Sequence, residues 1–161
     1  HEFDEYFACY DIELSGWGGR PYADGNDATD SINGNCRVIP VEVFETRYPW
    51  IVEEYALRQD SGGAGEHRGG LSISKTMLCT GDVMISQMTN KHIRTSWGLK
   101  EGKESISGAT LFQAKGANDW QTIKQAFGKV SSSKYSNVPI HPDERVSVKA
   151  PGGGGFGTAD D

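Results

Sequence analysis

The chain has 161 residues and a formal net charge of −6. That length supports one domain with its own core, and the acidic balance argues against a nucleic-acid backbone as partner. No apolar run nears the roughly 18 residues of a spanning helix, no basic amphipathic stretch suggests a membrane surface, and no basic-then-apolar leader argues for export, so a cytoplasmic protein is expected.

The cysteines, Cys9, Cys36 and Cys79, are odd in number and widely spaced. This favours reduced, buried or half-buried thiols over a disulfide framework. The absence of a C-x-x-C pair argues against zinc. Glycine is the main compositional signal, with 21 residues, 13 of them clustered at 16–19, 62–70 and 152–157. Clustered glycine implies tight backbone bends, or a backbone that must come close to something else.

In chain order, Glu2–Leu14 is rich in aromatic and apolar residues and is expected to form a strand, although its period-2 pattern is not clean. Ser15–Gly25 reads as a loop, and Asp24–Asn35 is rich in Asp and Asn, which favour turns by bonding their own backbone. Pro40–Tyr48 reads as a short helix: Pro40 suits its first position, Glu42 and Glu45 sit early, Arg47 sits late and Pro49 stops it. Val41, Phe44 and Tyr48 share one face. Ile51–Arg58 reads as a strand, and Asp60–Gly70 as a glycine loop. Leu71–Cys79 alternates apolar positions with Ser72, Ser74 and Thr76, the pattern of a half-buried strand. Thr80-Gly81-Asp82 then turns into a second strand, Val83–Thr89, and the two are expected to pair as a hairpin. Thr110–Ala114 is a weaker strand. Asn118 or Asp119 caps a helix running to Phe127, with Trp120, Ile123 and Phe127 on one face and Gly128 as its stop. Lys129–Asn137 reads as a Ser-rich surface loop and Arg145–Lys149 as a last strand. The sum is a β-rich α+β fold: residues 1–161 form a single domain of mainly antiparallel strands with long glycine-rich loops and one or two short helices.

Most motifs of single-residue chemistry fail. The spacing of Gly65 and Gly70 suits a phosphate loop, but Leu71 stands where its lysine belongs. A dinucleotide loop fails because Arg68 occupies the third glycine position. Asp24-Gly25-Asn26-Asp27 with Asp30 resembles a calcium loop, yet Ala28 replaces an oxygen ligand, so a loop that satisfies its own side chains is expected. No G-x-S-x-G elbow is present, and His67, His92 and His141 carry no spacing signal. What remains are glycine loops bearing an arginine or an acid, Gly18-Gly19-Arg20-Pro21 and Gly65-Glu66-His67-Arg68-Gly69-Gly70. Such an arginine either holds an anion in bidentate fashion or bonds carbonyls to brace the loop. The residues alone leave both open.

Taken in order, these loops resemble the C-terminal region of the hydantoinase B/oxoprolinase family. The resemblance rests on Gly16-Trp17-Gly18-Gly19-Arg20-Pro21 with Asp24-Gly25; on Asn35, Pro40-x-Glu42, Glu45 and Pro49; on Asp60-Ser61-Gly62-Gly63-Ala64-Gly65 with Arg68-Gly69-Gly70; on Trp97-Gly98-Leu99; and on Pro151-Gly152-Gly153-Gly154-Gly155-Phe156-Gly157. Phe7-Ala8-Cys9-Tyr10-Asp11-Ile12-Glu13 and Val41-Glu42-Val43-Phe44-Glu45 are most similar to acetone or acetophenone carboxylase subunits. The chain departs from the family at Lys91-His92-Ile93-Arg94, where a run of arginines is usual, and in a longer connection over Gln113–Asn137.

The resemblance implies a subunit of a multi-subunit ATP-dependent carboxylase acting on a ketone, inactive alone and helping to form the reaction chamber. The alternatives are a subunit of an ATP-dependent hydantoinase or 5-oxoprolinase-type amidohydrolase, or a non-catalytic assembly subunit of such a complex. Its partners would be a hydantoinase A-type ATP-binding subunit and further B-type subunits. ATP and a divalent metal would sit on partner chains, with no cofactor bound by this chain. The family's B-type subunits are longer, so a separately encoded or cleaved piece, or a small paralogue, is expected. Arg20 and Arg68 are the anion-holding candidates, while Asp24, Glu42 and Glu45 are candidates for acid–base work or loop bracing. Trp17, Trp50, Trp97 and Trp120 leave a third possibility, an independent ligand-binding module.

Overall fold

The large apolar side chains of several short elements converge on one cluster. Phe44, Trp50, Cys79, Phe112, Ile123, Val138, Ile140 and Val146 are all buried in it. A computed structural model describes residues 6–30, 34 and 36–159. Residues 2–5 of the expected first strand, and Asn35, lie outside them.

The elements are α1 (Val41–Arg47), β1 (Trp50–Arg58), β2 (Ser72–Cys79), β3 (Val83–Met88), β4 (Ala109–Gln113), β5 (Gln121–Thr122), α2 (Ile123–Phe127), β6 (Lys134–Ile140) and β7 (Arg145–Lys149). A five-stranded sheet runs β1-β2-β7-β4-β5, and β3 pairs with β6 in a separate two-stranded sheet. Every pairing is antiparallel. Among the described residues the fold is therefore β-rich α+β with two short helices. Ile123 at the start of α2 and Val138 and Ile140 of β6 are fully buried, which ties both sheets and α2 to the same cluster.

Several elements differ from the sequence expectation. The expected hairpin does not form: β1 and β7 occupy the two edges of β2, so the following strand leaves the sheet and pairs Val83 with Ile140. The turn is held by the Cys79 N–H on the Glu144 carbonyl at 2.8 Å and the Thr80 N–H on the Pro49 carbonyl at 2.9 Å. As a central strand β2 is nearly fully buried, with Ser72, Ser74, Lys75 and Thr76 each at most 8% exposed. Its polar face is satisfied internally. The Ser72 hydroxyl donates to the Ala150 carbonyl at 2.7 Å, and the Thr76 hydroxyl to the Ser147 hydroxyl at 3.0 Å.

Residues 6–14 form no strand, which leaves Cys9 exposed; Cys36 is exposed as well, and only Cys79 is buried. Helix α2 starts later than Asn118 or Asp119. Thr122 caps it in a reciprocal box with Gln125, the arrangement that satisfies two end N–H groups at once. Gly128 ends it at φ 63°. Half of the expected Ser-rich loop is β6, because Tyr135 and Val138 find partners in Gln87 and Ile85 of β3.

The glycine loops pack against one another by main chain. Gly19 N–H donates to the Gly154 carbonyl at 2.8 Å, Gly63 to Gly153 at 2.8 Å, Gly70 to Trp17 at 2.7 Å, Gly153 to Gly70 at 3.0 Å and Gly155 to Lys103 at 2.9 Å. Most of these glycines are required by proximity and not by unusual dihedrals. A Cβ on Gly153 would stand 1.8 Å from the Trp17 carbonyl oxygen. Gly153→Ala should therefore lower stability by at least about 3 kcal/mol, as overpacking against rigid backbone does at its worst. Gly116, with φ +73° and open space around it, should lose only about 1 kcal/mol as alanine. Denaturant unfolding of the two variants gives the comparison, and equal losses would contradict this packing.

Candidate functional site

Arg20, Asp24 and Arg68 come together where the first glycine loop meets the second. Asp24 Oδ1 accepts the Arg68 main-chain N–H at 3.0 Å, and its carboxylate lies 3.7 Å from His67 Nδ1 and 3.8 Å from Arg68 Nε. The Arg68 guanidinium forks onto Asp27 at 2.9 and 3.2 Å, and Asp27 also accepts the Leu71 N–H at 2.7 Å. The Arg68 hydrogen bond, with help from Leu71, holds the Asp27 carboxyl below its ordinary range. Arg20 donates to the Asp24 carbonyl and to Asn26 Oδ1, both at 2.9 Å.

The acidic loop at 24–27 thus does not close on itself. Asp24 and Asp27 bond main chain 44 residues away, because the second glycine loop leaves its N–H groups facing them. Both arginines engage acceptors within the loops, which is the bracing arrangement. The two glutamates lie elsewhere. Glu45 accepts the Val52 N–H at 2.7 Å and so ties α1 to β1. Glu42 is exposed in the first turn of α1. Among the described residues, no group of three or more His, Cys, Asp and Glu stands together as a metal site would require.

A second polar centre escaped the sequence reading. Lys75, on the buried face of β2, keeps 6% of its side chain exposed. Its ammonium pairs with Asp11 and, at 3.3 Å, with Glu13. It also lies 4.7 Å from the Phe44 ring centre and 5.3 Å from that of Tyr55. Burial alone would depress the lysine, but Glu13 and Asp11 outweigh it and raise its pKa. Burial pushes the Glu13 carboxyl up to about 7 against the pull of Lys75, and its Oε2 is buried without a hydrogen-bond partner. The signal was available: a lysine among Ile73, Met77 and Cys79 demands a buried counter-charge. Asp11 and Glu13 stand two apart in the segment that reaches it. The Ile73 N–H donating to the Leu14 carbonyl at 3.1 Å completes the attachment.

The hydantoinase B/oxoprolinase model matches residues 1–159, and the chain belongs to that family. The chain is 26% identical to 5-oxoprolinase 1 of Arabidopsis thaliana over 155 residues, covering 96% of this chain and 12% of the relative. It thus spans about an eighth of that protein. Among solved structures, the ATP-dependent caprolactamase of Pseudomonas jessenii superposes with a TM-score of 0.72 at 23% identity, covering 90% of this chain and 24% of the other. Nucleotide-free acetone carboxylase gives 0.70 at 21% identity, covering 89% and 22%. These likenesses establish a shared fold. No helix among the described residues is long and apolar enough to cross a membrane.

Two outcomes follow from the polar centres. Glu13 in the native state binds a proton that the unfolded chain releases between the ordinary value of 4.5 and about 7. Stability should therefore fall as pH rises through that window, by up to about 1.4 kcal/mol per pH unit. Glu13→Gln should flatten the slope in denaturant titrations between pH 5 and 7; an unchanged slope would locate the proton elsewhere. Arg68→Lys should lower the unfolding temperature nearly as much as Arg68→Ala, since an ammonium cannot reproduce the fork onto Asp27. Full rescue by lysine would reduce that contact to simple charge.

Proposed function

We propose that this chain is one wall of the reaction chamber in a large ATP-dependent enzyme, and that its substrate class is a cyclic amide. The carrying observation is family membership across residues 1–159, joined to the lactams named in a 5-oxoprolinase relative and a caprolactamase of the same fold. ATP makes such chemistry feasible by activating an amide carbonyl toward water. An activated intermediate must be kept from bulk solvent until it reacts. The glycine layer suits a wall: its main-chain groups bond one another, so it holds shape without side chains that would intrude.

In this reading Arg20, Asp24, Arg68 and Glu45 keep the wall rigid, and Glu42 faces outward. ATP and its divalent cation belong to a hydantoinase A-type partner, and further B-type chains close the compartment. Ketone carboxylation is the second reading, favoured by the resemblance of Phe7–Glu13 and Val41–Glu45 to acetone and acetophenone carboxylase subunits.

The test supplies the complex of the full-length protein with ATP and either 5-oxoproline, hydantoin, caprolactam, or acetone with bicarbonate, and follows ADP and organic product. Ring opening coupled to ADP release, independent of bicarbonate, is expected. ATP use confined to acetone with bicarbonate would transfer the assignment to the second reading. A protein that purifies without partner chains would remove the chamber.

A further inference from the structure

A shallow cleft of about 210 Å³ opens where the first and last glycine loops meet residues 91–97. Its floor is Gly16, Gly18, Gly153 and Gly154, and Lys91, Ser96 and Trp97 form its sides. We propose that this cleft binds a small flat ligand bearing a carboxylate, with Lys91 as its counter-ion and the Trp97 indole against its ring. The proposal deepens the cyclic-amide reading and rests on it for the identity of the ring.

The volume lies below the ~300–1,000 Å³ of pockets for drug-sized molecules, which restricts the occupant to something small. Gly18 supplies an independent sign. The other floor glycines are forced by packing: a Cβ on Gly16, Gly153 or Gly154 would meet a carbonyl oxygen at 2.0 Å or less. On Gly18 it would meet only the Gly154 oxygen at 3.6 Å, an ordinary contact. Neither dihedral nor packing demands glycine there. A side chain at that point would occupy the cleft itself.

Lys91 is positioned for the purpose. It adopts φ 59°, an uncommon conformation for a residue with a side chain, and its carbonyl accepts the Gly108 N–H at 3.0 Å. The Ser96 hydroxyl spends its proton on the Gly152 carbonyl at 2.8 Å. Its oxygen is left to accept from the Lys91 ammonium at 2.7 Å. That contact uses one of the ammonium's donors and leaves two for a ligand. No carboxylate among the described residues pairs with it. Trp97, 75% exposed, offers a bare aromatic face beside that charge, suited to a ring held flat.

The probes are 5-oxoproline and 2-pyrrolidinone, the same ring without its carboxylate, titrated calorimetrically into the complex of the full-length protein. 5-Oxoproline should bind at least about tenfold more tightly, the scale of one hydrogen bond to a charged group. Lys91→Met should erase the difference. Gly18→Val should weaken both probes with the unfolding temperature unchanged, and Gly18→Ala serves should valine disturb the loop. Discrimination that survives Lys91→Met, or wild-type affinity in the Gly18 variants, would overturn the site. ATP-dependent ring opening that is indifferent to these variants would sink the cleft and spare the proposed function. Lys91-dependent binding without ring opening of any cyclic amide would do the reverse.

Discussion

Contact of main chain with main chain across the glycine loops is the constraint on which the rest of this structure depends. Segments distant in sequence, from residues 16–19, 62–70 and 152–157, approach so closely that a carbonyl oxygen of one occupies the space a Cβ would need on the other. Side-chain packing cannot bring backbones this near. Hydrogen bonds such as Gly19 to Gly154 and Gly63 to Gly153 then replace those lost to water on folding. The strands supply the hydrophobic cluster, but the relative placement of Arg20, Asp24, Asp27 and Arg68 is set by this layer.

That placement changes how the charged loops are understood. A glycine loop with an arginine suggests free N–H groups and a free guanidinium awaiting an anion. Here many of the N–H groups reach neighbouring carbonyls, and the guanidinium of Arg68 forks onto Asp27. The ion pairs are partly exposed, so each alone adds little. Their effect comes from joining two loops whose backbones are already in register. Lys91, beside this layer, has no carboxylate partner among the described residues, and it lies in a stretch where the chain departs from the family pattern.

Sequence reading worked where local chemistry decides. The helix after Pro40, the strand over Ile51–Arg58, the strand from Arg145 and the stop at Gly128 follow from proline, alternation and glycine alone. It failed where partners are chosen over distance. The turn at Thr80–Asp82 looks like a hairpin turn, and nothing local reveals that β7 already holds the free edge of β2. Ser72, Ser74 and Thr76 look solvated because alternation shows a polar face without showing what covers it. Glycine clustering announced close approach, but not that the thing approached would be another glycine loop. Of the candidate residues, Arg20, Asp24 and Arg68 do meet, whereas the Lys75 centre was legible only by asking how a lysine survives among apolar neighbours.

Segment 6–14 has no secondary structure of its own, yet it supplies both carboxylates that face the Lys75 ammonium. This sets a practical boundary for anyone dissecting the polypeptide. A fragment designed to start after Glu13 would keep every described strand and helix and still strand a positive charge beneath α1, with aromatic rings on hand and no counter-ion. The smallest independently stable version of this region must therefore begin upstream of Asp11, in residues that a search for regular elements would discard as a tail.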